Sequence, residues 1–304
     1  MIVIIGSGMA GLACARRLAE AGLAPIVLDK GRGIGGRVAT RRVGDLQFDH
    51  GAQYVNAHGA GFAAVLGGLP VADWHDGTGR THSVGVPGMS AIPKALGAGL
   101  DIRQGEQVTR LQQDGDGWVL HLDGGPFRAD RVVVTVPAPQ VAGLLGADHP
   151  LVAALAPVQL APCLTLMAAV TAPAPFITRQ DADDPLAWIA QDSAKPGRPQ
   201  GPDPLWVAQA GEAFSQTHLE QTLTQIAALM LPLLCDRLGV TPDRVTHASA
   251  HRWRYARVTQ ALGQPFLRSP DAKLYLGGDW CIGPRVEAAW TSGTAIADDI
   301  LARR

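Results

Sequence analysis

An α/β fold built round a parallel sheet is what this sequence predicts, and three observations predict it. The chain opens on the β-branched run Ile2-Val3-Ile4-Ile5, with no polar alternation, as in a strand covered on both faces. A glycine turn and a helix-forming segment follow at once, and then a second apolar run over residues 25–29. Strand, glycine turn and helix recur at the other end, over residues 273–276, Gly277-Gly278 and 286–301. With 304 residues, 47% of them hydrophobic and 17% charged, the chain can build one large core or two interleaved ones. It has too few charges for disorder or a coiled coil.

The elements follow in order. After the first strand, the segment from Leu12 carries apolar residues at Leu12, Ala15, Leu18 and Ala19 and stops at Gly22, which reads as a helix. The second strand ends on Asp29. Short strands at 100–103, 106–112, 118–122 and 127–128, separated by Asp/Gly turns, predict a β-meander. Residues 130–136 form another buried strand, closed by Pro137-Ala138-Pro139 before a short helix. The proline-rich stretch 172–204 reads as long loops with one strand near Trp188. Residues 217–238 read as a helix that Pro232 should kink or divide.

Composition excludes several functions. A net charge of -1 offers no draw to nucleic acid or an anionic membrane. The apolar runs fall short of the ~20 residues that span a bilayer. Cys14, Cys163, Cys235 and Cys281 lie far apart, with no CxxC pair and no Cys/His cluster at zinc spacing, so no metal site is expected. His247 and His251 are four apart but lack a nearby carboxylate ligand. The first residues carry no basic segment of a secretory leader. A cytoplasmic protein of a reducing compartment is expected.

Gly6-Ser7-Gly8-Met9-Ala10-Gly11 lies between the first strand and the helix. Gly6 makes the tight turn, Gly8 lets backbone approach a pyrophosphate, and Gly11 allows close helix–strand packing. Amides at the helix start, Met9 among them, face the phosphates. Asp29 stands where a carboxylate can hold an adenosine ribose. These residues specify a Rossmann-type dinucleotide site without choosing NAD or FAD.

The choice comes from Lys30-Gly31-Arg32-Gly33-Ile34-Gly35-Gly36-Arg37, which resembles the acid-x(4–6)-G-G-R extension of the flavin amine-oxidase superfamily. There the stretch wraps the FAD pyrophosphate and ribose, implicating Lys30, Gly36 and Arg37. Further blocks resemble bacterial renalase-like flavoproteins: 49–54 (Asp-His-Gly-Ala-Gln-Tyr), 84–90, 193–198 (Ser-Ala-Lys-Pro-Gly-Arg), 251–256 and 277–293. They are spread over nearly the whole chain in the family's order.

The resemblance implies a Rossmann-type FAD-binding domain (parallel sheet plus β-meander) with an interleaved α+β substrate domain. The first would comprise 1–57, 84–150 and 268–304; the second, 58–83 and 151–267. It implies noncovalent FAD, with Asp279 on the ribityl chain, the backbone of Val286 at the flavin pyrimidine, Val108 at the adenine, and Gln53 and Tyr54 beside the isoalloxazine. Cys281 would be a small packing residue. Substrate-side candidates are Arg285, Tyr54, Pro87, Gly88 and Trp188, with Arg252 and Arg254 second in rank.

The expected reaction is oxidation of the 2- and 6-dihydro isomers of NAD(P)H to NAD(P)+, O2 giving H2O2. The alternatives are a flavin amine oxidase, whose site would need a lysine among the four present (Lys30, Lys94, Lys195, Lys273), and a non-catalytic FAD-binding redox sensor. The segment 59–83 is shorter than in renalase-like proteins, which should open or reshape the substrate pocket.

Overall fold

The structure, a computed structural model, describes residues 1–303. The predicted opening is present as β1 (Ile2–Ile5), α1 (Met9–Glu20) and β2 (Ile26–Asp29), with β1 and β2 parallel. Two hairpins follow, β3 (Thr40–Val43) with β4 (Leu46–Asp49) and, after α2 (Ala60–Gly67), β5 (Val71–His75) with β6 (Thr81–Gly85). After α3 (Ala91–Leu96), β7 (Asp101–Gln104) extends the parallel sheet beside β2. The meander is β8 (Val108–Asp114), β9 (Gly117–Leu122) and β10 (Gly125–Ala129), and β11 (Arg131–Val134) returns to pair with β1. Two short helices, α4 (Ala138–Leu145) and α5 (Pro150–Ala153), lead out of it.

The middle of the chain builds a second, antiparallel sheet. It contains β12 (Gln159–Val170), β13 (Thr178–Gln180), β14 (Trp188–Gln191), β15 (Leu205–Gln209), and, after α6 (Glu212–Thr217) and α7 (Leu223–Leu238), β16 (Val245–Gln260). Its order is β13-β14-β15-β12-β16. The chain then re-enters the first sheet with β17 (Leu267–Arg268) and β18 (Leu274–Leu276) and ends in α8 (Val286–Ala302). The first sheet runs β17-β18-β11-β1-β2-β7.

Covering on both faces explains why the strands of the first sheet do not alternate. Val3, Ile5, Val132, Val134 and Leu274 pack toward the meander and α4, while Ile4, Val27, Val133 and Tyr275 pack against α1 and α8 through Leu18, Ile296 and Ile300. In the second sheet Leu164, Leu166 and Ala168 meet Ile226, Met230 and Leu234 of α7. The opposite face packs Met167, Ala169 and Val207 on Phe48 of β4.

Two expectations are corrected. Residues 217–238 are not one helix divided at Pro232, since α7 runs through that residue. Pro232 lies on the exposed face, where water can serve the carbonyl left by the missing N–H. The break comes earlier, between α6 and α7, where Thr222 accepts from the Gln225 N–H and Gln225 reaches back to the Thr222 N–H, a reciprocal cap that starts a new helix. The stretch 172–204 also holds two strands rather than one.

Helices α1 and α8 touch backbone to backbone. A Cβ on Gly293 would lie 2.0 Å from the Ala10 carbonyl oxygen. Gly293→Ala is therefore expected to cost about 1–3 kcal/mol of stability, as overpacking of a rigid contact does. Thermal melts would show this, and an unchanged melting temperature would contradict the contact.

Candidate functional site

The carboxyl ends of β1, β2, β11 and β18 open on one cavity of about 1430 Å3, larger than the ~300–1,000 Å3 of ordinary small-molecule sites. Its floor is the first sheet, lined by Ile5, Leu28, Thr135 and Gly278. Its far wall is the second sheet, lined by Cys163, Trp188, Gln209 and Trp253.

The glycine turn has the geometry its sequence requires. Gly6 has φ +106°, and its N–H donates to the Leu28 carbonyl at 2.8 Å. A Cβ on Gly11 would lie 1.9 Å from the Gly6 oxygen, whereas one on Gly8 would meet nothing within 4 Å. Gly8 therefore faces open cavity, beside Met9 and Ala10. No side chain caps α1 and no acid stands in its first turn, so its leading amides are left for an anion.

Asp29 lines the cavity while holding the turn. It accepts from the N–H and hydroxyl of Ser7, each at 2.6 Å, and from the Gly31 N–H at 2.7 Å. Lys30, Gly36 and Val108 line the cavity as well. Thr135, which the sequence reading missed, bonds the Ile5 and Gly6 carbonyls. Nothing in the sequence marks a threonine after a buried strand as part of such a turn.

Arg37 and Asp279 both line the cavity, and they hold each other. The guanidinium donates to the two carboxylate oxygens at 2.9 and 2.6 Å and to the Ala256 carbonyl at 3.0 Å. This bidentate pair joins the glycine loop after β2 to the turn after β18. The long helix α8 also starts on the cavity without a side-chain cap, with Arg285 and Val286 lining it. Glu287 accepts instead from the His58 and Gly59 N–H groups at 2.9 and 2.7 Å, a structural role that anchors the start of α2. Cys281 is fully buried, and burial pushes its thiol up to about 12. These features fit FAD: the uncapped starts of α1 and α8, a turn with no side chain at Gly8, and the carboxylates of Asp29 at the end of β2 and Asp279 after β18.

Not every candidate reaches the cavity. Gly11 lies beneath the turn. Gly51 and Ala52 line the cavity, but the side chains of Gln53 and Tyr54 lie behind them. Tyr54 stacks on His82 with centroids 3.9 Å apart and leans toward Trp188 at 5.8 Å. Pro87 and Gly88 do not line the cavity; the Pro87 carbonyl takes the Gln47 amide, and a Cβ on Gly88 would meet Thr40 at 2.7 Å. Arg254 lines the cavity but is held by both oxygens of Glu220. Arg252 donates to the Leu219 and Gln221 carbonyls.

Behind the Gly51 segment, His50 meets His251 edge-on at 4.7 Å and stacks on Trp253 at 5.2 Å. Burial, with His251 and Arg41 nearby, lowers His50 to about 3; burial, with Arg41 and Arg252, lowers His251 to about 4. Both are therefore neutral in the fold at pH values where the unfolded chain already binds protons. Stability from them is complete above the unfolded value of about 6.5 and is lost as pH falls toward the folded values. Melting temperature is expected to drop between pH 7 and 5, with His50 alone accounting for on the order of 2 kcal/mol. A His50→Gln variant should flatten that slope; an equal slope in wild type and variant would refute the assignment.

The carboxylate of Asp279 supports Arg37 and faces the cavity, so Asp279→Ala is expected to weaken FAD binding about ten- to a hundredfold, the size of a lost charged hydrogen bond. Titration of apoprotein with FAD measures it, and wild-type affinity would remove Asp279 from the cofactor site.

Residues 4–66 match the NAD(P)-binding Rossmann-like domain, and residues 71–301 match the flavin containing amine oxidoreductase family. Among solved structures the chain is similar to putrescine oxidase bound to putrescine, at 15% identity over 99% of both chains with a TM-score of 0.77. It is also similar to a provisionally assigned protoporphyrinogen oxidase from Exiguobacterium sp. 255-15, at 14% identity over 100% of this chain and 99% of that one with a TM-score of 0.78. At such identities the two structures speak for the fold alone. The family match spans most of the chain and falls on a cavity that fits FAD, and by it this chain belongs to the flavin-containing amine oxidoreductases and is an FAD-dependent oxidoreductase.

Proposed function

We propose that this enzyme removes a hydride from a carbon bonded to nitrogen in a small molecule, with O2 as final acceptor and H2O2 as second product. An amine and a 2- or 6-dihydronicotinamide share that chemistry, because in both the nitrogen lone pair stabilises the carbon as the hydride leaves. The observation that carries the reading is the single cavity extending from the starts of α1 and α8 to the wall at Trp188 and Gln209. It can bring a small molecule against the cofactor's reacting end. In this reading segments 1–57, 84–150 and 268–304 hold the cofactor, and 58–83 and 151–267 shape the substrate side.

Bound FAD supplies the two-electron acceptor. The chain's own groups bind, orient and exclude water. The α1 start and Arg37 offer donors to phosphate, and Asp29 and Asp279 offer acceptors to sugar hydroxyls. The α8 start places the positive end of a helix dipole at the cavity, where negative charge is stabilised. Trp188, with Tyr54 behind it, walls off one side.

An amine substrate is the reading supported by the family match. The dihydronicotinamide reading is favoured by the charges on the cavity. Arg254, Arg257 and Arg285 line it; Glu220 pairs with Arg254 and Glu212 with Arg257, and Arg285, outside those pairs, suits a phosphate-bearing substrate better than a cationic polyamine. Of the four lysines only Lys30 lines the cavity, and it lies at the end of β2.

Anaerobic stopped-flow bleaching of the flavin absorbance, with a panel of amines and dihydronicotinamide isomers, separates the two. If a dihydronicotinamide is the substrate, Arg285→Ala should keep its FAD and react about tenfold more slowly at subsaturating substrate, a decade for one charged hydrogen bond of roughly 1.5 kcal/mol. If an amine is the substrate, the same variant should react as fast as wild type or faster. No bleaching by either class would overturn the proposal.

A further inference from the structure

Five polar side chains outside the cavity form a buried cluster where the β3–β4 hairpin meets the second sheet. Asp49 ends β4; Asp192, Lys195 and Arg198 follow β14; Gln53 follows the cavity-lining pair Gly51-Ala52. The side chains of Asp49, Asp192, Lys195 and Arg198 are 0–1% exposed. Lys195 Nζ donates to Asp192 Oδ1 at 2.7 Å and to Gln53 Oε1 at 3.2 Å, and lies 3.5 Å from Asp49 Oδ2. Those three partners match the three N–H groups of an ammonium. Arg198 also pairs with Asp49, and Asp192 takes the Asp49 N–H at 3.0 Å.

Four buried charges are costly, and apolar side chains of like volume would stabilise the fold as well or better. What they supply is orientation. Lysine only donates, so the Gln53 amide must turn its oxygen to Lys195. Its NH2 then faces inward and donates to the carbonyls of Asp49 and Gly51, the latter at 3.1 Å. The Gly51 carbonyl also receives Gln209 at 2.7 Å. Gly51 has no freedom to relax, because a Cβ there would already lie 2.0 Å from the Arg37 oxygen.

We infer that Lys195 is a positioning residue: through the Gln53 amide it fixes the backbone at Gly51-Ala52, and with it the wall of the FAD cavity. Lys195 does not line the cavity, so its action is indirect. The inference rests on the cofactor site alone and holds for either class of substrate.

The test uses FAD-loaded protein, with the visible absorption spectrum of the flavin and the dissociation constant for FAD as readouts. Lys195→Met and Gln53→Met are each expected to shift the flavin bands and to weaken FAD about tenfold, the effect of one buried charged hydrogen bond. The double variant should be no worse than the weaker single, because both act along one path. A Lys195→Met protein that melts earlier yet keeps the wild-type spectrum and affinity would show that the cluster only supports the fold, and would overturn the inference. So would additive losses in the double variant. Should Lys195→Met fail to fold, Gln53→Met, which removes no charge, decides alone: a shifted spectrum supports the inference and an unshifted one overturns it.

Discussion

Backbone pressed on backbone is the constraint on which the rest of this molecule depends. A Cβ on Gly11 would lie 1.9 Å from the Gly6 oxygen, one on Gly293 2.0 Å from the Ala10 oxygen, and one on Gly51 2.0 Å from the Arg37 oxygen. The first contact seats α1 on β1, the second seats α8 on α1, and the third lays the segment after β4 on the glycine loop after β2. Side chains at these points would force the walls apart. Close-packed interiors do not absorb such shifts.

Charges then tie the walls that the glycines bring together. Arg37 and Asp279 join the two strand-end turns of the first sheet by a bidentate pair, the geometry to which a guanidinium is suited. Deeper, Asp49 is held by Lys195, Arg198, Thr40 and the Met89 N–H. Burial alone would raise its carboxyl, but those partners outweigh burial and hold it below the usual carboxylate range. The surface pairs, such as Arg103 with Asp101, are solvated and add little. Ion pairs in this fold matter at the seams between segments.

The substrate side is built differently. Trp188, Gln209, Trp253 and Arg254 come from strands of the second sheet, and the short hairpin β5–β6 meets that sheet through Tyr54 stacked on His82 and through Thr178, whose hydroxyl donates to the Asp76 carbonyl at 2.7 Å. His82 is itself held at 3.2 Å by Asp76. The cofactor side is thus fixed by local turn geometry, and the substrate side by side chains that meet only after distant strands have paired.

That difference decides what could be read from the chain. The residues of the first turn, Gly6, Gly8, Gly11 and Asp29, lie within one β–α–β unit, so their spacing alone announces their geometry. The C-terminal repeat of strand, glycine turn and helix is legible for the same reason, as are the meander and the resemblance carried by Gly36-Arg37 and Gly277-Gly278-Asp279. Tertiary structure decided the rest. It paired β12 with β16, residues some ninety apart in sequence, and so placed Trp253 and Arg254 on the cavity. It left Pro87 and Gly88 off the cavity, turned Arg37 onto Asp279, and buried Lys195 between two aspartates. A short-range motif encodes its own backbone dihedrals, whereas the partner of a distant charge is fixed only when sheets close on one another, and no spacing along the chain records that closure.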